Sequence, residues 1–290
     1  MVEAYRLGLT GWPLKHSLSP ALHQAALASL GLEGDYRCFP IEPLPEGVEP
    51  MRDLLGRMRT GELKGLNVTV PHKESVINYL DRLTAAAERI GAVNTIFMDG
   101  HNLVGDNTDR DGFLADLDFT RAPAIGHALV LGAGGAARAV VDGLCGRGWK
   151  VWVAARRFRQ AQEVAESLNR PRKPAIIPLK LEPRTLTEVI EKVKLIVNAT
   201  PLGMKPHSDT TPWPEGVGFP EQALVYDLVY MPQETRLTRE ARVAGLPAVT
   251  GMGMLVEQAA LAFERWTGYP APRHAMRLAA ERWGGIETCH

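Results

Sequence analysis

Apolar positions in this chain come as short runs that alternate with stretches where they recur every three or four residues. That alternation predicts strands and helices taking turns. Residues 5–11 read as a first strand. After Ser19-Pro20, residues 21–30 carry apolar side chains at helical spacing, with Ser19 as the cap and Pro20 at the first helical position. The β-branched run 66–70 ends at Pro71, and a helical stretch follows at about 73–80. Residues 92–98 and 102–105 predict a hairpin turning at Asp99-Gly100.

The second half of the chain is more regular. A strand at 128–131, a glycine turn, a helix at 136–147 stopped by Gly148 and a strand at 150–154 make a βαβ unit. A helix at 160–168 and strands near 175–177, 195–199, 224–227 and 248–250 extend the same sheet, and helices at 254–267 and 273–282 close the chain. Those last two helices are long enough to return to the first domain. The expectation is a two-domain α/β protein: an α/β domain over 1–108 completed by 251–290, and a Rossmann-type domain over 109–250.

Bulk properties agree with two domains and remove several function classes. The 290 residues exceed one compact core, and 45% hydrophobic content is enough for two. Lys plus Arg equals Asp plus Glu at 33 each, so no net field draws the chain to nucleic acid or to an anionic membrane. The three cysteines, Cys38, Cys145 and Cys289, lack metal-type spacing and leave one unpaired under any disulfide scheme, which fits a reducing cytoplasm. The start has no basic region followed by an apolar core, and no apolar run approaches the roughly 20 residues that span a bilayer. No metal site is expected, because His16, His72, His101 and the other histidines show no ligand spacing. Monomer and homodimer both stay open.

The glycine turn is the clearest chemical signal. Gly132-Ala133-Gly134-Gly135-Ala136-Ala137 follows a strand and opens a helix, the context that a dinucleotide-binding turn requires. Gly132 permits the tight turn, Gly134 lets a pyrophosphate approach the backbone, and Ala137 lets the helix pack close to the strand. An NAD site would carry an acidic residue roughly 20 positions on, to hold the ribose hydroxyl. Here Ala155-Arg156-Arg157-Phe158-Arg159 offers no carboxylate and three guanidinium groups, which points to the extra phosphate of NADP.

Four polar segments precede that turn: 15–20, 67–73, 91–95 and 105–109, each where a strand ends or a helix begins. Singly, each has a structural explanation, such as Ser17 and Ser19 as caps, Asn94 as a turn residue, or Lys73 as a solvated charge. Together they match a family pattern. Ser-x-Ser at 17–19, Asn-Val-Thr-Val-Pro-His-Lys at 67–73, Ala-Val-Asn-Thr at 92–95 and Gly-Asp-Asn-Thr-Asp at 105–109 are followed by three more motifs. These are Gly-Ala-Gly-Gly-Ala at 132–136, Asn-Ala-Thr-Pro-Leu-Gly-Met at 198–204 and Gly-Met-Gly-Met-Leu-Val-x-Gln-Ala at 251–259. With these seven motifs in order, the chain resembles the shikimate dehydrogenases nearly end to end.

The resemblance implies the reversible NADPH-dependent reduction of 3-dehydroshikimate to shikimate, in the chorismate route of aromatic amino-acid biosynthesis. It implies Lys73 and Asp109 as the catalytic pair, which suits a reaction whose alkoxide must be protonated. It further implies Ser17 and Ser19 on the substrate carboxylate, with Asn67, Thr69, Asn94, Asp109 and Gln258 on the ring hydroxyls. Tyr230 would lie beside substrate and nicotinamide, Leu228 and Gly251 along the nicotinamide, and Asn198, Ala199 and Thr200 beneath the cofactor. One motif departs from the family. Its usual Asn-Arg-Thr is here Ala155-Arg156-Arg157, so Ala155 cannot hydrogen-bond the ribose, a role left to Arg157 or Arg159. The rival readings are an NAD-accepting quinate/shikimate dehydrogenase, a non-catalytic sensor of NADPH or a pathway metabolite, and an enzyme for an amino-substituted analogue. Retention of both Lys73 and Asp109 speaks against the sensor.

Overall fold

The computed structural model describes residues 4–120, 122–169 and 176–282. It divides into two compact units, one running through Thr108 and resuming at Val256, the other spanning Asp109–Leu255.

In the first unit the elements follow as β1 (Tyr5–Gly11), α1 (Ser19–Ser29), β2 (Gly34–Pro40), α2 (Val48–Arg59), β3 (Gly65–Val68), β4 (Arg82–Leu83), α3 (Ala85–Ile90), β5 (Thr95–Asp99) and β6 (Asn102–Asp106). They form a six-stranded mixed sheet in the order β2-β1-β3-β5-β6-β4. β1 pairs in parallel with β2 and β3, while β5 runs antiparallel to β3 and β6. Leu66, Val68, Ile96 and Leu103 of the sheet bury against Met51, Leu54, Leu55 and Met58 of α2, whose apolar residues fall at helical spacing on one face.

Several expected boundaries shift for local reasons. The first helix begins at Ser19 itself behind Leu18, and no side chain caps it, so Ser19 is not the cap and Pro20 is not the first helical residue. The strand at 66–70 is shorter and ends at Val68, and the stretch after Pro71 forms only a 3-10 turn, Ser75–Tyr79. The hairpin strand begins at Thr95 rather than at residue 92.

The second unit contains α4 (Asp109–Phe119), β7 (His127–Leu131), α5 (Gly135–Gly146), β8 (Lys150–Ala155), α6 (Phe158–Leu168), β9 (Ile176–Lys180), α7 (Pro183–Thr187), β10 (Val193–Asn198), β11 (Leu224–Asp227), α8 (Arg236–Val243) and β12 (Ala248–Thr250). Two helices follow, α9 (Met252–Thr267) and α10 (Arg273–Arg282), and the division between units falls inside α9. The strands form one all-parallel sheet in the order β12-β11-β10-β7-β8-β9. That is the doubly wound order of a Rossmann fold, with the order reversing between β7 and β10. Its strands are continuous apolar runs because both faces are covered: Val130, Val151 and Val197 point to one core, Leu129, Leu131 and Ile196 to the other. The strand expected at 175–177 is β9, which begins at Ile176; residue 175 lies outside the described residues.

Among the described residues no helix is long and apolar enough to cross a membrane, and no group of three His, Cys, Asp or Glu is placed to hold a metal ion. Cys145 is free and buried, while Cys38 on β2 is disulfide-bonded.

Candidate active site

In the first unit, buried polar side chains converge where β3, β5 and β6 meet the loop after β6. Asn67, the third residue of β3, is nearly fully buried; its amide donates to Asn94 O at 3.1 Å and to Thr95 Oγ1 at 3.3 Å. Asn94 Oδ1 accepts from Thr108 N at 2.8 Å and from Thr95 Oγ1 at 3.0 Å, while its Nδ2 donates to Thr108 Oγ1 at 2.9 Å and Gln258 Oε1 at 3.3 Å. Sequence positions 67, 94, 108 and 258 thus share one hydrogen-bonded cluster, the kind that satisfies itself internally and holds its members in fixed orientation.

Helix α9 brings Gln258 there because Trp266, two turns on, is pinned to the same sheet. Its indole donates to Ile96 O at 3.0 Å, and its ring lies where a Cβ on Gly65 would sit, 2.4 Å away, so only glycine fits on β3. Arg265 adds an ion pair with the buried Asp106 at 2.9 Å.

Lys73 stands at the end of the 67–73 segment, half-buried, and its backbone carbonyl accepts from Val93 N at 2.7 Å, which ties it to the segment that carries Asn94 into β5. Thr69 donates its backbone N–H to Thr10 O at 2.9 Å, extending the β1–β3 pairing up to the half-buried Thr69 side chain. Ser17 and Ser19 lie at the start of α1, with Ser19 N donating to Ser17 Oγ at 3.3 Å.

Two aromatic residues that the sequence did not single out belong to this cluster. The hydroxyl of Tyr36 on β2 donates to Asn67 Oδ1 at 2.8 Å, and His23 on α1 stacks on the Tyr36 ring with centroids 4.4 Å apart. Burial, opposed by a hydrogen bond with Ser19, holds the Tyr36 phenol well above its ordinary pKa, so it stays neutral. Thr95 and Thr108 fall inside two of the sequence motifs, but nothing in the pattern marks them as the hydrogen-bond partners of Asn67 and Asn94.

In the second unit the glycine turn has the form that a phosphate needs. Gly132 has φ +110°, a conformation that L side chains rarely adopt, and a Cβ there would meet Ala199 O at 3.0 Å. Gly134 is the N-cap of α5 and supplies no side-chain cap, and a Cβ on it would meet nothing within 4 Å. Open space in front of an uncapped helix N-terminus, flanked by Ala133, Gly135 and Ala136, fits the pyrophosphate of a dinucleotide. Arg156 and Arg157 stand exposed just past β8, and Arg156 is engaged by no hydrogen bond or ion pair among the described residues. Arg157 donates to Gln160 at 3.1 Å, and Arg159, three-quarters exposed, pairs with Glu163 at 3.1 Å on its own helix. Arg156 is therefore the guanidinium best placed for a phosphate; Arg159 is occupied along α6.

Asp109 is the first residue of α4 and is buried, a position where the helix dipole favours a carboxylate. Asn198, Ala199 and Thr200 form the turn after β10, and Leu228 donates its N–H to Asn198 O at 2.9 Å, which joins that turn to the one after β11. Gly251 lies against Leu228, since a Cβ there would come 2.3 Å from Leu228 O. Tyr230 is half-buried beyond that turn.

Comparison with known proteins gives this arrangement a family. Residues 9–96 match the model of the shikimate dehydrogenase substrate binding domain, and residues 251–281 match that of the shikimate 5'-dehydrogenase C-terminal domain. An NADP(+) shikimate dehydrogenase from Salinibacter ruber is 43% identical, over 92% of this chain and 94% of its own length. The chain belongs to the shikimate dehydrogenase family. A shikimate 5-dehydrogenase from Thermus thermophilus, solved in complex with NADP(H) and shikimate, is 41% identical with a TM-score of 0.83, covering 96% of this chain and 99% of that one. The family's fold also accommodates other acids and cofactors. A quinate dehydrogenase from Corynebacterium glutamicum, in complex with NAD, is 31% identical with a TM-score of 0.85, covering 97% of this chain and 99% of that one. As in the shikimate dehydrogenases, the N-terminal α/β domain is the substrate domain and the parallel-sheet domain is of the Rossmann, NADP-binding type.

Proposed function

We propose that this chain is an NADP-dependent shikimate dehydrogenase that interconverts 3-dehydroshikimate and shikimate in aromatic amino-acid biosynthesis. The observation that carries the reading is the pair of features outside ordinary packing. One is a buried amide and hydroxyl cluster around Asn67, Asn94, Thr108 and Gln258; the other is an uncapped glycine turn followed by a free Arg156 where an NAD site would have a carboxylate. A small acid rich in hydroxyls is the ligand such a cluster selects, because an apolar analogue would leave its buried polar groups unpaired.

Ser17 and Ser19 are assigned to the substrate carboxylate, and Asn67, Thr69, Asn94, Asp109 and Gln258 to the ring hydroxyls, with Tyr230 beside the ring. Gly132, Ala133, Gly134, Gly135 and Ala136 would hold the pyrophosphate, Arg156 and Arg157 the adenosine phosphate, and Asn198, Ala199, Thr200, Leu228 and Gly251 the nicotinamide half. NADPH, when bound, supplies the hydride. Lys73 and Asp109 are assigned the proton transfer: the developing alkoxide oxygen takes a proton, and a lysine ammonium both donates one and stabilises the charge.

The quinate reading has the NAD-bound relative in its favour, but the absence of a carboxylate after β8 favours NADP. The test is reduction of NADP⁺ and of NAD⁺ by the purified protein with shikimate and with quinate, alongside Lys73→Ala and Asp109→Ala. The expected result is turnover with shikimate and NADP⁺ that drops at least about 100-fold in each variant, the scale of a lost acid–base group. No turnover with either acid would overturn the assignment, and preferred turnover of quinate with NAD⁺ would replace it.

A further inference from the structure

One buried carboxylate has no place in the roles assigned above. Asp227 ends β11, is fully buried, and accepts three hydrogen bonds: from Asn198 Nδ2 at 2.8 Å, from Val229 N at 3.0 Å and from Thr235 Oγ1 at 2.6 Å. Each donor comes from a different piece of backbone. Asn198 ends β10 and its Oδ1 in turn accepts from Thr200 N at 2.9 Å and Thr200 Oγ1 at 2.7 Å, while its Nδ2 also donates to Leu202 O at 3.2 Å. Val229 belongs to the turn after β11, and it accepts from Gly251 N at 3.3 Å. Thr235 is the N-cap of α8 and forms a reciprocal box with Thr238.

We propose that Asp227 is a positioning residue for the nicotinamide half of the dinucleotide, fastening the 198–202 turn, the 227–230 turn and the start of α8 into one rigid floor. The proposal rests on the NADP reading above. Asp227 itself is wholly enclosed and has no surface to offer a ligand. It acts through Asn198 and through the backbone at 228–229. Both turns stand at carboxyl ends of adjacent parallel strands, next to the reversal in strand order where such sheets bind dinucleotides. Hydrogen bonds to a charged acceptor hold more strongly than neutral ones, and removing the acceptor strands three buried donors at once. The adenosine half depends on other groups, the glycine turn and Arg156, none of which Asp227 contacts.

The experiment compares NADPH with adenosine 2′,5′-bisphosphate, which carries only the adenosine phosphate, by direct binding titration to the full chain. Asp227→Ala should weaken NADPH at least about tenfold, the scale of a lost buried charged network, and change the bisphosphate less than about twofold. Asp227→Asn keeps the shape and an acceptor oxygen, and should bring NADPH affinity back to within about threefold of wild type. Unchanged NADPH affinity in folded Asp227→Ala, or equal weakening of both ligands, would overturn the proposal. Should Asp227→Ala fail to fold, Thr235→Val removes the hydroxyl bond to Oδ2 together with the cap bond from Thr238 N, and selective weakening of NADPH is again required. Wild-type protein that binds no NADPH overturns the function reading together with this one; wild type that binds it while the variants bind equally overturns this one alone.

Discussion

The burial of one titratable ring predicts how the fold responds to acid. His23 on α1 is fully buried, with Tyr36 stacked on one side at 4.4 Å with planes 2° apart, and Trp266 at 5.3 Å. Neither ring nitrogen has a hydrogen-bond partner among the described residues. Burial, opposed by the nearby Asn67 side chain, disfavours the imidazolium and lowers the pKa from 6.5 to about 3. In the unfolded chain the same ring takes a proton near pH 6.5, so below that pH the unfolded state binds more protons than the folded one. The contribution of neutral His23 is thus fully present above pH 6.5 and is lost as pH falls toward 3. At pH 4.5, two pH units below the unfolded value, the loss is about 2.7 kcal/mol. His23→Phe keeps the stack and removes the titration. Urea unfolding of both proteins at several pH values, followed by circular dichroism, measures it, because every other acid-sensitive group is common to the two. The stability of the variant relative to wild type should rise by about 2.7 kcal/mol between pH 7.5 and 4.5. A difference constant with pH within about 0.5 kcal/mol would refute the idea that the folded state keeps this ring neutral.

Two further substitutions probe the second unit. Arg156→Ala should raise the KM for NADP⁺ about 10- to 100-fold and leave that for NAD⁺ unchanged, as expected for a guanidinium that meets only the extra phosphate; steady-state kinetics with both cofactors reads it. Gly253→Ala would put a methyl group 1.7 Å from Asp116 Oδ1, displacing the buried carboxylate that accepts the Tyr226 hydroxyl. Overpacking of this kind costs about 1–3 kcal/mol, and a melting temperature unchanged by the substitution would contradict the packing described.

The sequence made the parallel sheet legible because its strands are buried on both faces and read as unbroken apolar runs. Residues 224–227 and 273–282 form elements over the expected spans, and the glycine turn declared α5 to within a residue. β2, α2 and α3 went unassigned for a physical reason. β2 is an edge strand whose Gly-Asp-Tyr-Arg-Cys-Phe-Pro mixes polar and apolar residues with little alternation, and α2 follows a stretch containing Pro43 and Pro45 and has a proline at its third position. α3 is only six residues, too short to show a period. Most candidate site residues lie in legible motifs, but the partners that hold them do not. Tyr36 meets Asn67 across 31 positions, and no local pattern records a hydrogen bond of that span. His23 sits among the apolar positions of a helix and looks like core, and Tyr36 stands between Asp35 and Arg37 on a strand without clear alternation.

A common device explains why the polar residues that matter stand where strands stop. A strand's last residue leaves the ladder, and the N–H groups of the turn beyond it lose their sheet partners. Asp106 at the end of β6 accepts from Asn107 N at 2.9 Å, Asn198 at the end of β10 from Thr200 N at 2.9 Å, and Asp227 at the end of β11 from Val229 N at 3.0 Å. In each case a short side chain replaces the missing ladder bond and fixes the turn that follows. The same side chain has a second atom to spend on a distant element: Asp106 on Arg265, Asn198 on Asp227, and Asp227 on Thr235. An Asn or Asp closing an apolar run thus does two things at once, ending the strand locally and anchoring a loop to the rest of its unit. In sequence only the first is visible, since turn residues at strand ends are ordinary. The second depends on what the fold brings opposite, which is why Asn198 was read through its motif while Asp227, one strand away and carrying three donors, passed as the end of a core strand.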